Sequence, residues 1–314
     1  MKLKIKNKRG QIEIPFTWLF AIIVGIVIVF IAIYSSSRLV DVGQKTTNVQ
    51  TGKEIQVLLN PLETSFQSAQ TTSITIPSET RINNKCEDFE NFGRQGIQLD
   101  QKNLGKWSNT ETSTWTNNRY IFSDNITEGK KFYIFSKQFN FPFKIADLIY
   151  LTSANEEYCF KDAPQEIIEE ISILKQENLY FENCPQESIT VCFESGPCNI
   201  SVDYSRGYVK KGTDFLYFAG LDDDSTALMY AAIFSDKSIY ECQIKRLSVR
   251  LKTLSKLYLD KEDYLSEKGC ETNLQSDLID LSQAEIQNSE GFQSLQENVN
   301  IMNENNDGRI CSLW

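Results

Sequence analysis

The most informative absence in this chain of 314 residues is histidine, which occurs at no position. Without an imidazole, the chain has no Ser-His-Asp or Cys-His nucleophile pair, no histidine-ligated zinc and no proton shuttle of ordinary neutral pKa. The motifs G-x-x-x-x-G-K-[ST], G-x-G-x-x-G and G-x-S-x-G are absent as well. These absences exclude the commonest catalytic machineries, so we expect a non-enzymatic protein without a cofactor.

Positive charge is scarce outside the amino terminus. The chain holds 32 basic and 42 acidic residues, a net charge of −10. Five basic residues and no acidic residue fall within the first nine positions, which leaves 27 basic against 42 acidic residues and a net charge of −15 for the remainder. A body this acidic repels phosphate backbones, so we expect no binding to nucleic acid.

One long apolar segment follows the basic residues. Residues 14–34 carry no formal charge, and about 20 apolar residues suffice to cross a bilayer as a helix. Five positive charges precede this segment and only Arg38 and Lys45 follow it closely, which predicts a cytoplasmic amino terminus with the bulk of the chain extracellular. The alternative is a cleavable secretory signal, cut near the small residues Ser35 and Ser37.

The remaining pattern predicts an α+β protein. Apolar residues at helical spacing over 35–70 indicate an amphipathic stalk that continues the membrane helix. Short strands bounded by Gly, Asn and Pro follow, with helices inserted at Ala163–Lys175 and near Ser225–Phe234 and a hairpin around Lys211-Gly212. Two apolar stripes separated by Gly269 predict a C-terminal helical hairpin. The expected division is 1–13 basic cytoplasmic leader, 14–34 transmembrane helix, 35–70 helical stalk, 71–245 β-rich extracellular domain and 246–314 helical C-terminal region.

All the cysteines follow the apolar segment. Their even number and their predicted extracellular position favour up to four disulfides, with buried free thiols or a metal site as alternatives. No C-x-x-C spacing occurs, so we expect no metal. Cys192 and Cys198 are the most suggestive local pair, because Ser195-Gly196-Pro197 can turn the chain between them. The eight candidates are Cys86, Cys159, Cys184, Cys192, Cys198, Cys242, Cys270 and Cys311.

Other polar motifs carry weaker signals. Two sequons nominate Asn125 and Asn199 for N-glycosylation. The acidic run 222–224 lacks the spacing of a calcium loop and is typical of a solvated turn or a helix cap. The pairs Glu156-Glu157 and Glu169-Glu170 leave a carboxylate-dependent extracellular hydrolase as a remote alternative, although adjacent residues on a helix point in different directions.

The joint before the apolar helix has a more specific likeness. Lys8-Arg9-Gly10-Gln11, followed by Glu13, resembles the class III signal of archaeal type IV pilin-like proteins. The resemblance implies cleavage between Gly10 and Gln11 on the cytoplasmic side, with the apolar helix kept as the scaffold of assembly. It also implies that Glu13 meets the new amino terminus of a neighbouring subunit. Family members commonly carry this acid at the fifth mature position, and here Glu13 would be the third.

The wider sequence resembles a group of uncharacterised membrane-anchored proteins from small-genome archaea, notably in "ETRINNKC", "FSKQFNFPFKIADLIY" and "MYAAIFSDKSIYECQIKRL". The likeness implies origin and anchoring, and it assigns no mechanism. We therefore expect a single-span surface protein that contacts the lipid bilayer and, as a minor pilin or pseudopilin-like subunit, other pilin-like chains. An anchored adhesion or ligand-binding receptor that is never processed is the alternative.

Overall fold

The computed structural model describes residues 18–36, 70–89, 92–103, 105–108, 113–193, 196–220, 225–270, 272–307 and 311–314. The chain divides into two compact units, Met1–Thr47 and Asn48–Trp314. The described part of the first unit is one helix, α1 (Trp18–Ser36), inside the predicted membrane segment and its continuation. Of the predicted stalk, 35–70, the structure describes 35–36, which continue α1, and Gln70, which begins a strand; the rest lies outside the described residues. The second unit combines two sheets with helices, so the α+β prediction is confirmed.

The first sheet is mainly antiparallel. Its path is β3-β2-β1-β6-β7-β5, with β4 also paired to β2 and with β5 parallel to β7. The longest strands alternate β-branched or aromatic residues with polar ones, as strands with two different faces do. The strands are β1 (Gln70–Glu87), β2 (Arg94–Asn103), β3 (Lys106–Trp107), β4 (Thr114–Thr116), β5 (Tyr120–Phe122), β6 (Ile126–Asn140) and β7 (Lys144–Ser153).

The first sheet is strongly curved, so that β1 in its middle also contacts the edge strand β5 and the residues that follow β5. The backbone amide of Asn84 donates to the carbonyl of Asn125 at 2.9 Å, and its side-chain Nδ2 donates to the carbonyl of Ile121 at 3.2 Å. The curl encloses a small apolar cluster of its own, in which Phe132 and Ile134 of β6 are at most 1% exposed. On the opposite face of the same strand, Phe135 belongs to the main core.

The second sheet is mixed, in the order β13-β12-β11-β10-β8-β9. Strands β11, β10, β8 and β9 run parallel, whereas β12 and β13 form the predicted hairpin, with Gly212 at φ +60° between them. Only a residue that tolerates positive φ fits this position easily. The strands are β8 (Tyr158–Lys161), β9 (Leu179–Tyr180), β10 (Ile189–Cys192), β11 (Ile200–Asp203), β12 (Tyr208–Lys211) and β13 (Asp214–Tyr217). Helix α2 (Gln165–Leu174) lies between β8 and β9, as predicted.

Helix α3 (Ser225–Phe234) is the centre of the second unit. Its residues from Ala227 to Phe234 are at most 1% exposed, because a helix that is apolar on all sides has to be buried on all sides. It contacts β5, β6 and β7 of the first sheet and β12 and β13 of the second. The ring of Phe234 lies 5.7 Å from that of Phe135 and 4.9 Å from that of Tyr158, so one side chain joins both sheets.

The C-terminal third differs from its prediction in two ways. Helix α4 (Lys237–Glu267) begins before the expected domain boundary at 245/246 and crosses it. The apolar pattern does not show its first turns, because the polar residues Gln243 and Arg246 face the interior there. The chain turns at Gly269 (φ +81°) as expected, but the second arm of the hairpin is divided. It consists of α5 (Gln275–Gln283), α6 (Ser289–Gln293) and α7 (Gln296–Asn306).

A chain of buried polar side chains joins the first sheet to α4. Gln95 of β2 donates through Nε2 to Asn84 Oδ1 and accepts at Oε1 from Gln243 of α4. Gln243 in turn accepts from Arg246 Nη1 at 2.7 Å. All four side chains are at most 4% exposed. A buried polar network stabilises a fold only when its members are satisfied, and here the partners specify one placement of α4 on the sheet.

Arg246 is the last residue of this buried polar network, and its partners include no carboxylate. Its guanidinium donates to the carbonyls of Phe92 (3.0 Å), Arg119 (2.8 Å) and Asn117 (2.8 Å) and lies 4.7 Å from the centre of the Tyr120 ring. Burial lowers the pKa of Arg246 to about 10, so the group stays charged at neutral pH. Carbonyl dipoles and a ring face therefore replace a counter-ion, and Arg246 holds two loops on α4.

All eight cysteines lie in four disulfides, which confirms that expectation and the local pair Cys192–Cys198. The longest connection, Cys86–Cys242, joins β1 to α4 beside the buried polar chain, over a sequence separation of 156. The alternatives of free thiols and of a thiolate metal site are wrong for these residues. The other pairs are Cys159–Cys184 and Cys270–Cys311.

Replacing the buried arginine tests its role in the fold. Arg246→Met keeps the apolar stem and leaves three carbonyls without their donor, so we expect it to lower the free energy of unfolding by about 3 kcal/mol or more. Lys256→Met, at an exposed position of the same helix, should change it by at most about 0.5 kcal/mol. Urea denaturation followed by circular dichroism measures both. Equal effects of the two substitutions would contradict the assigned role.

The disulfides should differ in their effects according to the length of chain that they close. Loop entropy predicts that Cys86→Ser with Cys242→Ser lowers the free energy of unfolding by about 5 kcal/mol, and Cys192→Ser with Cys198→Ser by about 2 kcal/mol. The corresponding sequence separations are 156 and 6. The same urea titrations compare the two double variants. A larger loss from the short loop would show that constraint of the unfolded chain is not what matters here.

Candidate functional site

Helix α1 covers most of the segment predicted to cross the membrane and continues two residues beyond it, to Ser36. An 18-residue stretch of this 19-residue helix has a mean hydropathy of 2.7, and none of the 19 residues is charged or buried. Phe30, for example, is 73% exposed. A helix of this length rises about 28 Å, close to the ~30 Å hydrocarbon core of a bilayer. Apolar surface on every side of a helix is unfavourable in water, and the length and composition of α1 suffice to cross a membrane.

The residues nominated for processing precede this helix. Gly10, Gln11 and Glu13 lie outside the described residues, so their roles stay predictions. The acidic run 222–224 lies outside them too, immediately before α3.

Both candidate glycosylation sites lie at the starts of strands and are exposed. Asn125 precedes β6, and its Oδ1 accepts from Ser238 Oγ at 3.1 Å. Asn199 precedes β11, and its Oδ1 accepts from the backbone amide and the hydroxyl of Thr190 at 2.9 and 2.8 Å. In neither residue does the amide nitrogen, which would carry the glycan, donate a hydrogen bond to the described part of the chain. The geometry is compatible with modification, and modification itself stays a prediction.

Four charged residues from distant segments converge in the second unit and form what we call the junction cluster: Asp124, Glu156, Lys211 and Asp236. Asp124 follows β5 and Glu156 follows β7, whereas Lys211 is the last residue of β12 and Asp236 immediately precedes α4. Lys211 Nζ donates to the carbonyl of Ser235 at 2.9 Å, and among the described residues Lys211 forms no ion pair. The charges of the three carboxylates act on the Lys211 ammonium group, and none of the three forms an ion pair with it.

The cluster is held by backbone groups at its margins. The amide of Asn125 donates to Asp236 Oδ2 at 2.8 Å, which ties the corner before β6 to the start of α4. The amide of Ser153 donates to Glu156 Oε2 at 3.1 Å. Tyr158, which is 2% exposed, lies close enough for its pKa to be raised by burial and by the three acids.

The electrostatics of the junction cluster are unusual for carboxylates. Burial raises the pKa of Glu156 to about 7, and the negative charges of Asp124 and Asp236 add to this effect against the Ser153 amide and Lys211. Burial likewise raises the pKa of Asp124 to about 6. The pKa of Lys211 is lowered by burial, although the acids partly offset it. Groups of this kind change charge near neutral pH, as acid–base catalysts and pH-sensitive contacts do.

The acids of the junction cluster are not arranged as a set of metal ligands. Among the described residues no group of three acidic or cysteine side chains is placed to hold a metal ion. Sequence reasoning missed Asp124, Lys211 and Asp236, because no local motif marks them and only the fold brings them together.

The glutamate pairs nominated for hydrolase chemistry separate in the structure. Glu156 belongs to the junction cluster, whereas Glu157 Oε1 accepts from the hydroxyl of Tyr180 at 3.3 Å. Glu169 is exposed and accepts from Gln165 at 2.9 Å. Neither pair therefore acts as two facing carboxylates.

Glu170 takes part in a separate network that is largely buried. It forms an ion pair with Lys137 and accepts from the hydroxyl of Tyr230 at 2.9 Å. Lys137 also donates to the hydroxyl of Thr226. This network joins β6, α2 and α3. It offers no accessible nucleophile, because Lys137 is paired with an acid and Thr226 is only 5% exposed.

The comparisons with known proteins add no family. No protein-family model matches the chain, and the searches of curated proteins and of solved structures found no match.

The junction cluster predicts how stability depends on pH. A carboxyl group whose pKa is raised on folding stabilises the fold at low pH, and this contribution is lost as the pH rises through the folded pKa. We therefore expect the midpoint temperature of thermal unfolding to decrease as the pH is raised from 5 to 8. Glu156 should account for about 1–2 kcal/mol of the accompanying loss in the free energy of unfolding. Glu156→Gln, which stays neutral, should flatten this dependence, whereas Glu169→Gln at an exposed site should not. Identical pH profiles of wild type and Glu156→Gln would exclude Glu156 as the titrating group.

Proposed function

We propose that the chain is a single-span membrane-anchored surface protein, with its amino terminus in the cytoplasm and the unit Asn48–Trp314 outside the cell. The observation that carries this proposal is α1, an uncharged apolar helix of membrane length with no buried residue. The basic residues before it and the few after it favour this orientation.

The chemistry of the second unit supports the same side. All of its cysteines are consumed in disulfides, and disulfides persist in oxidising compartments rather than in a reducing cytosol. The two exposed sequons, whose amide nitrogens are not engaged by the described residues, suit the same compartment.

We further propose that the protein is a minor pilin or pseudopilin-like subunit, whose helix packs with those of other pilin-like chains after cleavage between Gly10 and Gln11. Supporting this, α1 has apolar side chains on all sides, and Gly25 within it is a small residue of the kind that lets membrane helices pack closely. An acid at Glu13 is costly in lipid unless neutralised, and the new amino terminus of a neighbour would neutralise it.

Amino-terminal sequencing and intact mass test both parts of the proposal. The full-length protein, produced in an archaeal host that makes type IV pili, should stay in the membrane pellet after alkaline carbonate washing and should start at Gln11. Gly10→Leu should block the cut, because the residue before the cleaved bond has to fit the peptidase. Lys4→Ala, in the same basic segment, should be cut normally.

The other outcomes are equally specific. A membrane-bound protein that starts at Met1 or Lys2 would overturn the processed assembly role and leave an anchored receptor or adhesion protein. A protein recovered from the medium with a start near Arg38 would overturn anchoring itself.

A further inference from the structure

The outward face of the second sheet carries half-exposed and exposed side chains on strands β11 to β13. Val202, Val209 and Leu216 are paired neighbours on these strands and are buried in the core. The flanking rows point the other way, because side chains alternate along a strand. One row contains Ser201, Lys210 and Phe215, and the other contains Asp203, Tyr208 and Tyr217.

An open cavity of about 580 Å³ lies on this outward face. Its walls combine the rings of Phe193, Tyr204 and Tyr208 with the charges of Asp203 and Lys210. Two serines, Ser201 and Ser205, and Val202 also line it. Its volume falls in the usual range of ligand sites, about 300–1,000 Å³.

A second cavity of about 390 Å³ lies across the turn that follows β11 and shares Tyr204 and Ser205 with the first. Tyr204 is 42% exposed, and its ring centre lies 6.1 Å from that of Phe218. The two cavities together, which we call the turn groove, offer room on both sides of one tyrosine. This arrangement suits an extended ligand of repeated units better than a single compact one.

Asp203 is a fixed acceptor in the turn groove. Its Oδ1 accepts from Ser205 Oγ at 2.8 Å and from the amide of Arg206 at 3.0 Å. Burial acts to raise the pKa of Asp203, but these hydrogen bonds and that of Tyr208 outweigh it, so the pKa is lowered. The carboxylate is therefore ionised and oriented before any ligand arrives, which reduces the entropy lost on binding.

Lys210 supplies a donor beside this acceptor. It is exposed, its Nζ lies 5.5 Å from the centre of the Phe215 ring, and it forms no ion pair within the described ranges of the chain. Its ammonium group is therefore available to a ligand hydroxyl or carboxylate.

The chemistry of the turn groove selects among ligand classes. A wholly apolar ligand would desolvate the Lys210 ammonium group, which has no ion-pair partner among the described residues, and this is unfavourable. The groove holds two carboxylates, Asp203 in the first cavity and Glu297 in the second, and among the described residues no three metal-ligating side chains lie together. The net charge of −15 outside the first nine residues disfavours nucleic acid. A sugar ring has an apolar C–H face for the electron-rich face of an aromatic ring, and hydroxyls at its rim for charged partners.

We propose that the turn groove binds an oligosaccharide, with Tyr204 and Tyr208 stacking on sugar rings and Asp203 and Lys210 bonding their hydroxyls. This role goes beyond anchoring and assembly and holds whether or not the leader is cleaved. It would give the second unit a recognition surface on the outside of the membrane.

Calorimetric titration of the full-length protein in lipid nanodiscs tests the proposal, because alkyl-glycoside detergents would themselves present sugars. The probes are maltotriose, cellotriose, chitotriose and trigalacturonate, each at up to 10 mM. We expect at least one to bind with a dissociation constant below about 1 mM. Tyr208→Ala should weaken that binding at least tenfold, because it removes a stacking ring. Tyr264→Ala, an equally sized change at an exposed site on α4, should leave it unchanged.

Two further variants keep the test decisive if Tyr208→Ala does not fold. Tyr208→Phe keeps the ring and should retain most of the affinity, whereas Lys210→Glu should weaken binding at least fivefold. Lys256→Glu provides the matched charge control outside the groove. The proposal is overturned if none of the four probes binds, or if Lys210→Glu binds as well as Lys256→Glu does.

Discussion

The buried polar chain from Asn84 through Gln95 and Gln243 to Arg246 is the constraint on which the second unit depends. Burying four such side chains is unfavourable unless each finds partners, and only one placement of α4 against the curled sheet supplies them. Apolar packing alone would tolerate sliding of α4, whereas a shift by one residue would break this network. The network therefore fixes the direction of α4 and, with it, the position of the chain before and after that helix.

The position of α4 has consequences at its amino-terminal end. Asp236 immediately precedes the helix, and there its carboxylate accepts from the backbone of Asn125. Helix α3 enters the core just before this point, between the two sheets, so the corner between α3 and α4 lies where strands of both sheets end. The junction cluster is thus a product of the architecture, since one buried helix brings the ends of several strands to one corner.

Much of the local structure follows from the sequence. The run "STALMYAAIF" has no polar face, which marks α3 as a buried helix, and the glycine at 212 marks a hairpin. The start of α4 could not be found in this way, because Gln243 and Arg246 are polar residues that face inward. Apart from the local pair Cys192–Cys198, the disulfide connectivity could not be predicted from the sequence, and neither could the junction cluster. Cys86 and Cys242, like Asp124 and Asp236, come together only through the tertiary fold.

The absence of histidine gives the junction cluster its significance. A chain without imidazole has no side chain that ordinarily changes charge between pH 5 and 8. Here burial in a corner with too few cations brings the pKa of Glu156 to about 7 and that of Asp124 to about 6. Carboxylates placed by the fold thereby acquire the range that histidine has by its chemistry. Because this range comes from burial, opening the corner would return these groups to ordinary carboxylates, so their charge and the closure of the corner are physically linked.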